Sequence, residues 1–333
     1  MASEFKSLPV IDVGPLLEKT EDSEMANDQS VAEVARQLDK ACRETGFFYV
    51  KGHGVPDHIL KEVRDLCREF FHRPSDEKEK IKMSSSTGYR GYQRVGENVT
   101  LGQPDLHEAI DCYKNMKPGA YGELGKVLEG SNLWPDYPKR FAPLMEEYIS
   151  NVQDLAKKIM KGIALGLGMP QDTFEGENGG DPFWVLRIIG YPPIDSDTEE
   201  FNMQDSGVGC GAHTDYGLLT LVNQDDDISA LQVRNFAGEW IWAVPIPGTF
   251  VCNIGDMLKV WTNGFYQPTL HRVINKNPKY RVSVPFFYEP NFDAVVEPLE
   301  IFKELTGGKA LYSPVIYGNH ISGKVSTNFD EIL

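Results

Sequence analysis

Seven short segments rich in β-branched and aromatic residues follow one another between residues 183 and 288. Turn-forming residues bound each segment, which is the pattern of β-strands rather than of helices. The predicted strands cover residues 183–191, 217–224, 230–234, 239–246, 250–254, 269–274 and 281–288. A run of short strands buries its apolar face by closing on itself or by packing as two sheets. This part of the chain therefore predicts a sandwich or a jelly roll.

The residues before the Gly-Gly pair at 179–180 predict mainly helices. Apolar residues recur at helical spacing in a stretch that begins near residue 30 and in the stretches 57–72 and 138–167. The sequence Ser-Val-Ala-Glu at 30–33 predicts a capping box that starts the first helix, and Gly46 is predicted to end it. Residues 84–100 lack periodicity and predict a loop. Helices followed by strands, with no repeat and no flexible linker, favour a single α+β domain over residues 1–333.

A candidate metal site lies within the predicted strands. His213 and Asp215 are two positions apart in a segment that reads as a strand, so their side chains are predicted to share one face. His271 is the best candidate for a third ligand, because two imidazoles and one carboxylate leave coordination positions open on ferrous iron. Ten positions later, Arg281 and Ser283 offer a guanidinium and a hydroxyl to a carboxylate. The pattern predicts an oxygenase that binds a small acid beside its iron.

The ordered set H-x-D at 213–215, H at 271 and R-x-S at 281–283 resembles the plant-type, isopenicillin-N-synthase-like family of iron(II)/2-oxoglutarate oxygenases. Residues 46–55 and 255–258 are similar to that family as well. The resemblance implies an α+β fold with a double-stranded β-helix (jelly-roll) core over 179–300. A mainly helical part, residues 1–178, would pack on this core, and the tail 301–333 would close over its mouth.

The resemblance also implies the cofactors. Iron(II) would be the metal, 2-oxoglutarate and dioxygen the co-substrates, and ascorbate would support activity. Arg281, Ser283 and Tyr191 would bind 2-oxoglutarate. The chain departs from the family pattern at Ile189, where relatives often carry an asparagine that contacts the co-substrate.

Residues 88–98 and 107–113 are similar to one subgroup of the family, the plant homoarginine 6-hydroxylases. This similarity implies a small-molecule substrate, a basic amino acid hydroxylated at carbon 6, with succinate and CO2 as further products. The carboxylate of such a substrate needs a cation and its guanidinium needs an acid, while residues in a loop could add contacts. The candidate substrate residues are Arg187, Tyr92, Glu97, Glu108, Asp111 and Glu289.

Three alternatives remain open from the sequence. The same oxygenase chemistry could act on an apolar acid, a hormone or a phenolic metabolite. An oxidase could keep the iron but not use 2-oxoglutarate. A non-catalytic barrel could bind a metal or a metabolite, although such a protein has no need of open positions on iron.

The net charge of −16 argues against nucleic acid and against anionic membrane surfaces as partners. The five cysteines are odd in number and scattered, which does not indicate a disulfide framework. The first residues contain no apolar signal core, and the sequence predicts no membrane span. These features together predict a cytoplasmic protein. The sequence leaves the oligomeric state undetermined.

Overall fold

The computed structural model describes residues 4–20, 22, 24–100, 102–193 and 208–329. The helices are α1 Gly14–Glu18, α2 Gln29–Glu44, α3 Asp57–Phe71, α4 Ser75–Lys78, α5 Phe141–Gly166, α6 Asp256–Trp261, α7 Glu300–Leu305 and α8 Tyr317–Phe329. The strands are β1 Val10–Asp12, β2 Phe47–Lys51, β3 Gly91–Gln93, β4 Val99–Thr100, β5 Gln103–Pro104, β6 Glu108–Tyr113, β7 Pro182–Tyr191, β8 Val208–His213, β9 Leu219–Gln224, β10 Leu231–Arg234, β11 Trp240–Trp242, β12 Phe250–Ile254, β13 His271–Ile274, β14 Arg281–Asn291, β15 Val295–Val296 and β16 Val315–Ile316.

Two sheets form the core of the fold. The large sheet has the strand order β1-β2-β12-β9-β14-β7-β6-β3, and the small sheet has the order β11-β10-β13-β8. The described pairings within both sheets are antiparallel, except that β1 runs parallel to β2. The α+β jelly-roll prediction is confirmed, with helices on the outer face of the large sheet.

The first part of the chain does more than pack on the core. Its strands β1 and β2 extend one edge of the large sheet, and β6 and β3 extend the other. Strand β6 is buried along its whole length, which explains why it reads as neither an alternating strand nor a helix in the sequence. The helical part and the jelly roll therefore share one continuous sheet.

Strand β14 shows how the large sheet divides its two faces. Its even-numbered residues, from Val282 to Tyr288, join the hydrophobic core under helices α3 and α5. Its odd-numbered residues, from Arg281 to Glu289, line cavities on the opposite face. Because side chains alternate along a strand, one strand both anchors the helices and supplies the cavity with its chemistry.

Three local predictions need correction. Helix α2 begins at Gln29, and its N-cap is Asp28, whose carboxylate accepts hydrogen bonds from the backbone amides of Ser30 and Val31 at 2.8 and 3.2 Å. The predicted capping box at 30–33 is therefore wrong, because the aspartate two residues earlier already satisfies these amides.

The predicted loop 84–100 contains β3 and β4. Tertiary pairing with β6 and β5 creates both strands.

The predicted strand 239–246 is reduced to Trp240–Trp242. Strand β11 is the edge of the small sheet and pairs with β10 over three residues. Two prolines follow at 245 and 247, and proline cannot donate to a strand ladder. The predicted end of the first helix is confirmed, since Gly46 has φ +64° directly after the cap.

Candidate active site

Two strands and one turn bring the three predicted metal ligands together. His213 is the last residue of β8 and pairs directly with His271, the first residue of β13. Asp215 lies in the turn beyond β8, so the prediction that it shares a strand face with His213 is wrong. Its Oδ1 nevertheless lies 3.6 Å from His213 Nε2 and 3.5 Å from His271 Nε2. One ligand atom from each residue lies within 4.8 Å of the others, which suits a single ion.

Hydrogen bonds fix which atoms face that ion. The Nδ1 atoms of His213 and His271 lie 2.8 Å from the carbonyl oxygen of Gly211 and 3.1 Å from that of Thr269. A carbonyl oxygen only accepts, so Nδ1 carries a proton in both rings, and each Nε2 is the atom whose lone pair would bind a metal ion. Two imidazoles and a carboxylate are the donor set that holds ferrous iron with open positions.

The second oxygen of Asp215 is held by two neutral donors. Thr220 and Asn253 donate to its Oδ2 at 2.5 and 2.6 Å. Burial by itself raises the pKa of Asp215, but the neighbouring His271, His213 and Asn253 lower it below its usual value. Asp215 is therefore ionised and oriented before any metal binds. No sequence pattern pointed to Thr220 and Asn253, because sheet pairing alone brings β9 and β12 beside the turn.

An inner cavity beside these ligands contains a buried arginine. Arg281 is only 1% exposed, pairs directly with Tyr191 across the sheet, and holds its guanidinium 4.8 Å from the centre of that ring. Its Nη2 donates to Gln224 at 2.9 Å, whereas Nη1 and Nε have no hydrogen-bond partner among the described residues. Ser283 lines the same cavity two residues along. Two unpaired donors of a buried guanidinium fit a ligand carboxylate.

The inner cavity differs from the sequence prediction at one wall. Ile189 lines it with an apolar side chain, and His107 lies beside Tyr191 with ring centroids 5.6 Å apart. His107 was not predicted to line this cavity, because its position depends on the pairing of β6 with β7. To place His107 in this cavity from the sequence, one would have had to predict that residues 107–113 pair with residues 183–191.

An outer cavity lies on the other side of the metal ligands. It shares His213, Asp215, Arg187 and Phe287 with the inner cavity, and each of the two has about 630 Å³ of space, including the part that opens to solvent. Its other lining residues are Asp111, Tyr113, Val185, Thr214, Tyr216, Glu289, Ile321 and Val325. Helix α8 supplies Ile321 and Val325, so the tail covers this cavity.

Glu289 lies in the outer cavity and has no ion-pair partner in the part of the chain that the structure describes. It is 2% exposed, and its Oε2 has no hydrogen-bond partner among the described residues. The pKa of Glu289 is raised to about 8, chiefly by burial; the nearby Tyr317 hydroxyl offsets part of this rise, and the charges of Asp215 and Asp256 add to it. A Cβ at Gly217 would lie 1.7 Å from Oε2, so only glycine leaves room for this carboxylate. Without a ligand the acid is therefore mostly protonated at neutral pH, and a cationic ligand would favour its ionised form.

Arg187 and Asp111 also line the outer cavity. They pair directly across β7 and β6, and Arg187 Nε lies 3.3 Å from Asp111 Oδ1. Of the six residues predicted to contact a substrate, Arg187, Asp111 and Glu289 therefore lie together beside the metal ligands.

The other three predicted substrate residues lie elsewhere. Glu108 points to the helical face of the sheet. It is three residues from Asp111, and side chains an odd number of residues apart on a strand lie on opposite faces. Its carboxylate accepts hydrogen bonds from Lys78 at 2.5 Å, Tyr92 at 2.6 Å and Tyr280 at 2.7 Å. Glu97 accepts from the backbone amide of residue 94 at 2.8 Å in a surface turn. Glu108, Tyr92 and Glu97 line neither cavity, so the structure corrects their assignment to the substrate.

Two family models match the chain. Residues 8–137 match the model described as non-haem dioxygenase in morphine synthesis N-terminal. Residues 184–290 match the model of the 2OG-Fe(II) oxygenase superfamily. The second match contains the three candidate metal ligands and the inner cavity's Arg281 and Ser283.

Similar proteins share the whole length of the chain. Homoarginine-6-hydroxylase 2-ODD-233 of Oryza sativa subsp. japonica is 63% identical over 329 residues, which are 99% of each chain. Homoarginine-6-hydroxylase 2-ODD-C23 of Glycine max is 60% identical over 332 residues, with both chains fully covered. Among solved structures, a full-length Neurospora crassa protein in complex with alpha-KG has a TM-score of 0.81 and 26% identity, with 98% of each chain covered. JOX2 in complex with 2OG, Fe and JA has a TM-score of 0.75 and 29% identity, covering 97% of this chain and 89% of the other.

Proposed function

Because this chain belongs to the 2OG-Fe(II) oxygenase superfamily, we propose that it is a 2-oxoglutarate-dependent dioxygenase that hydroxylates homoarginine at carbon 6. The identity to the rice and soybean relatives, over their whole length, supports this substrate. The observation that carries the proposal is the buried acid Glu289, which has no ion-pair partner among the described residues, in the cavity beside the metal ligands. A guanidinium is the cation that such a carboxylate pairs with best.

His213, Asp215 and His271 hold the iron in this proposal. When bound, iron(II) with 2-oxoglutarate and dioxygen supplies the oxidation, in which one oxygen atom enters the substrate and the other enters succinate as CO2 leaves. The protein orients the ligands, since Nδ1 of each imidazole is held by a carbonyl and Oδ2 of the carboxylate by Thr220 and Asn253.

The inner cavity holds 2-oxoglutarate. Arg281 offers two unpaired N–H groups to the distal carboxylate, with Ser283 and Tyr191 on the same face of the sheet. The buried fork lies among apolar walls, where a charged hydrogen bond is stronger than in water.

The outer cavity holds the substrate, with Glu289 on its guanidinium. The apolar side chains Phe287, Ile321 and Val325 pack against the methylene chain and exclude water. An apolar acid, a hormone or a phenolic compound would fit those walls. It would leave the carboxylate of Glu289 without a counter-ion, and an acid would add a like charge nearby.

A substrate comparison tests the proposal. The enzyme is supplied with ferrous iron, ascorbate and 2-oxoglutarate, and succinate is measured with homoarginine, arginine, lysine and indole-3-acetate. Mass spectrometry then locates the added oxygen. We expect homoarginine to give the highest kcat/KM, with the oxygen on carbon 6. Turnover confined to indole-3-acetate would overturn the substrate and leave the dioxygenase assignment intact.

A matched pair of variants shows whether Glu289 carries the selectivity. Glu289→Gln keeps the shape and removes the charge, so kcat/KM for homoarginine should fall about 10- to 100-fold. Glu97→Gln removes an acid that lies outside both cavities and should leave kcat/KM unchanged. Equal values for the two variants would contradict the role of Glu289.

The cytosol suits this chemistry, and we place the enzyme there. All five cysteines are free, as expected in a reducing compartment that also keeps iron ferrous. Among the described residues, no helix combines the length and apolar character that crossing a bilayer requires.

A further inference from the structure

Arg187 and Asp111 form an ion pair that leaves hydrogen-bonding atoms of both side chains without partners among the described residues. Arg187 Nε and Asp111 Oδ1 are 3.3 Å apart, yet neither atom makes a hydrogen bond with any described residue. Asp111 is 2% exposed and lines the outer cavity. A buried carboxylate oxygen held by charge alone still needs a donor. A ligand that brings an N–H group would supply it.

Neutral acceptors on the side away from Asp111 fix the arginine of this pair. Arg187 Nη2 lies 3.0 Å from Asn98 Oδ1, 3.2 Å from Gln93 Oε1 and 3.2 Å from His107 Nε2. Burial and the charge of Arg187 together lower the pKa of His107 to about 4. Its Nδ1 lies 2.6 Å from the carbonyl oxygen of Gly209 and must donate, so Nε2 accepts from Arg187.

These three acceptors fix the guanidinium of Arg187 but do not neutralise its positive charge. Asn98, Gln93 and His107 contribute no negative charge, and Asp111 is the one acid in direct contact among the described residues. A rigid guanidinium with a single, imperfect counter-ion can accept a second carboxylate. At the same time, Asp111 can accept an ammonium group.

The distance between this pair and Glu289 matches the length of the substrate. Val185 pairs with Phe287 across β7 and β14. Arg187 lies two residues from Val185, and Glu289 lies two residues from Phe287 in the opposite direction. The backbone positions of Arg187 and Glu289 are therefore four residue steps apart along the strands, which is about 13 Å at a rise of about 3.3 Å per residue. Extended homoarginine spans about 9 Å from its carboxylate carbon to its guanidinium carbon at ordinary bond lengths, which leaves room for a hydrogen bond at each end.

We propose that Asp111 and Arg187 together form the receptor for the α-ammonium and α-carboxylate groups of a free amino acid. This inference rests on the proposed function and adds a requirement to it, namely an unmodified α-amino group. Asp111 binds the α-ammonium, Arg187 binds the α-carboxylate, and Glu289 binds the cation at the far end. With both acids ionised in the complex, these three protein groups carry one positive and two negative charges, which complements a substrate with two positive charges and one negative charge.

Analogues that lack one group each test the receptor. 6-Guanidinohexanoic acid is homoarginine without the α-amino group, and 5-guanidinopentylamine is homoarginine without the carboxylate. For wild-type enzyme we expect kcat/KM for either analogue to be about 10- to 100-fold below that for homoarginine, the effect of one lost charged hydrogen bond.

Asp111→Asn distinguishes a binding role from a structural one. In this variant kcat/KM for homoarginine should fall to within about threefold of that for 6-guanidinohexanoic acid, whose own value should stay within about threefold of wild type. The ratio of two substrates in one protein sample is independent of the fraction that is folded. Glu97→Gln is the matched control and should keep the wild-type ratio. The inference is overturned if Asp111→Asn lowers both substrates equally, or if wild-type enzyme does not discriminate between them.

Binding without turnover separates this inference from the proposed function. Calorimetry under anaerobic conditions, with ferrous iron and 2-oxoglutarate, measures the Kd of homoarginine and of 6-guanidinohexanoic acid. If homoarginine binds more tightly and Asp111→Asn removes the difference, the receptor stands even where no hydroxylated product forms. Equal Kd values in wild-type protein would overturn the receptor even if homoarginine is hydroxylated.

Discussion

Replacing Arg281 with lysine tests how the inner cavity binds 2-oxoglutarate. Lysine keeps the positive charge but replaces a planar fork with a single ammonium on a flexible chain. Arg281 Nη2 is committed to Gln224 at 2.9 Å, so its Nη1 and Nε are the atoms free to bind a carboxylate. An ammonium at this position cannot hold both Gln224 and two carboxylate oxygens in the same geometry.

The expected size follows from the number of bonds lost. The fork can make two charged hydrogen bonds to the distal carboxylate and lysine keeps at most one of them, so one is lost. A hydrogen bond to a charged group contributes about 1.5–3 kcal/mol. At about 1.4 kcal/mol for each factor of ten, the apparent KM for 2-oxoglutarate should rise about 10- to 100-fold.

The assay measures succinate over a range of 2-oxoglutarate concentrations, with homoarginine saturating. Arg234→Lys is the matched control, because Arg234 is an exposed arginine on β10 and lines neither cavity. We expect Arg281→Lys to leave kcat at saturating 2-oxoglutarate much less affected than KM. An unchanged KM in a folded Arg281→Lys protein would refute the reasoning, and the carboxylate would have to bind elsewhere.

Three further predictions concern buried acids. Asp215→Ala should abolish iron binding and succinate formation in a folded protein, whereas Asn253→Ala, which removes one of the two donors to Oδ2 of Asp215, should weaken iron affinity about 10- to 100-fold in a metal titration. Glu289 has a pKa of about 8 in the folded protein against an ordinary value of 4.5, so the folded state holds this proton more tightly and stability should fall as the pH rises from about 4.5 towards 8. Glu289→Gln should remove that part of the fall in Tm, and an identical pH dependence in both proteins would contradict the assignment. Glu108→Gln should leave Lys78 buried without its counter-ion and lower the free energy of unfolding by about 3–5 kcal/mol. Denaturant titration measures that loss, and kcat/KM of the folded fraction should stay near wild type.

The sequence by itself predicted the features that depend on residues close to one another in the chain. Short segments rich in β-branched and aromatic residues, bounded by turn residues, predicted the strands of the jelly roll, because this signal depends on neighbours a few residues apart. The order of His213, Asp215, His271 and Arg281 pointed to an iron oxygenase, because each residue type has few other uses at that spacing in a strand-rich segment. The end of α2 at Gly46 followed from a backbone conformation that glycine adopts without strain.

The tertiary structure decided which polar residues face the cavities. Glu108 and Asp111 looked equivalent in the sequence, but the register of β6 against β7 turns Asp111 to the outer cavity and Glu108 to Lys78 on the helical face. His107 reaches the inner cavity through the same pairing. Asn253 meets Asp215 although 38 residues separate them. These contacts depend on strand register and on a turn beyond β8. A shift of one residue in register reverses every side chain, so such contacts are set by the assembled sheet and not by the local pattern.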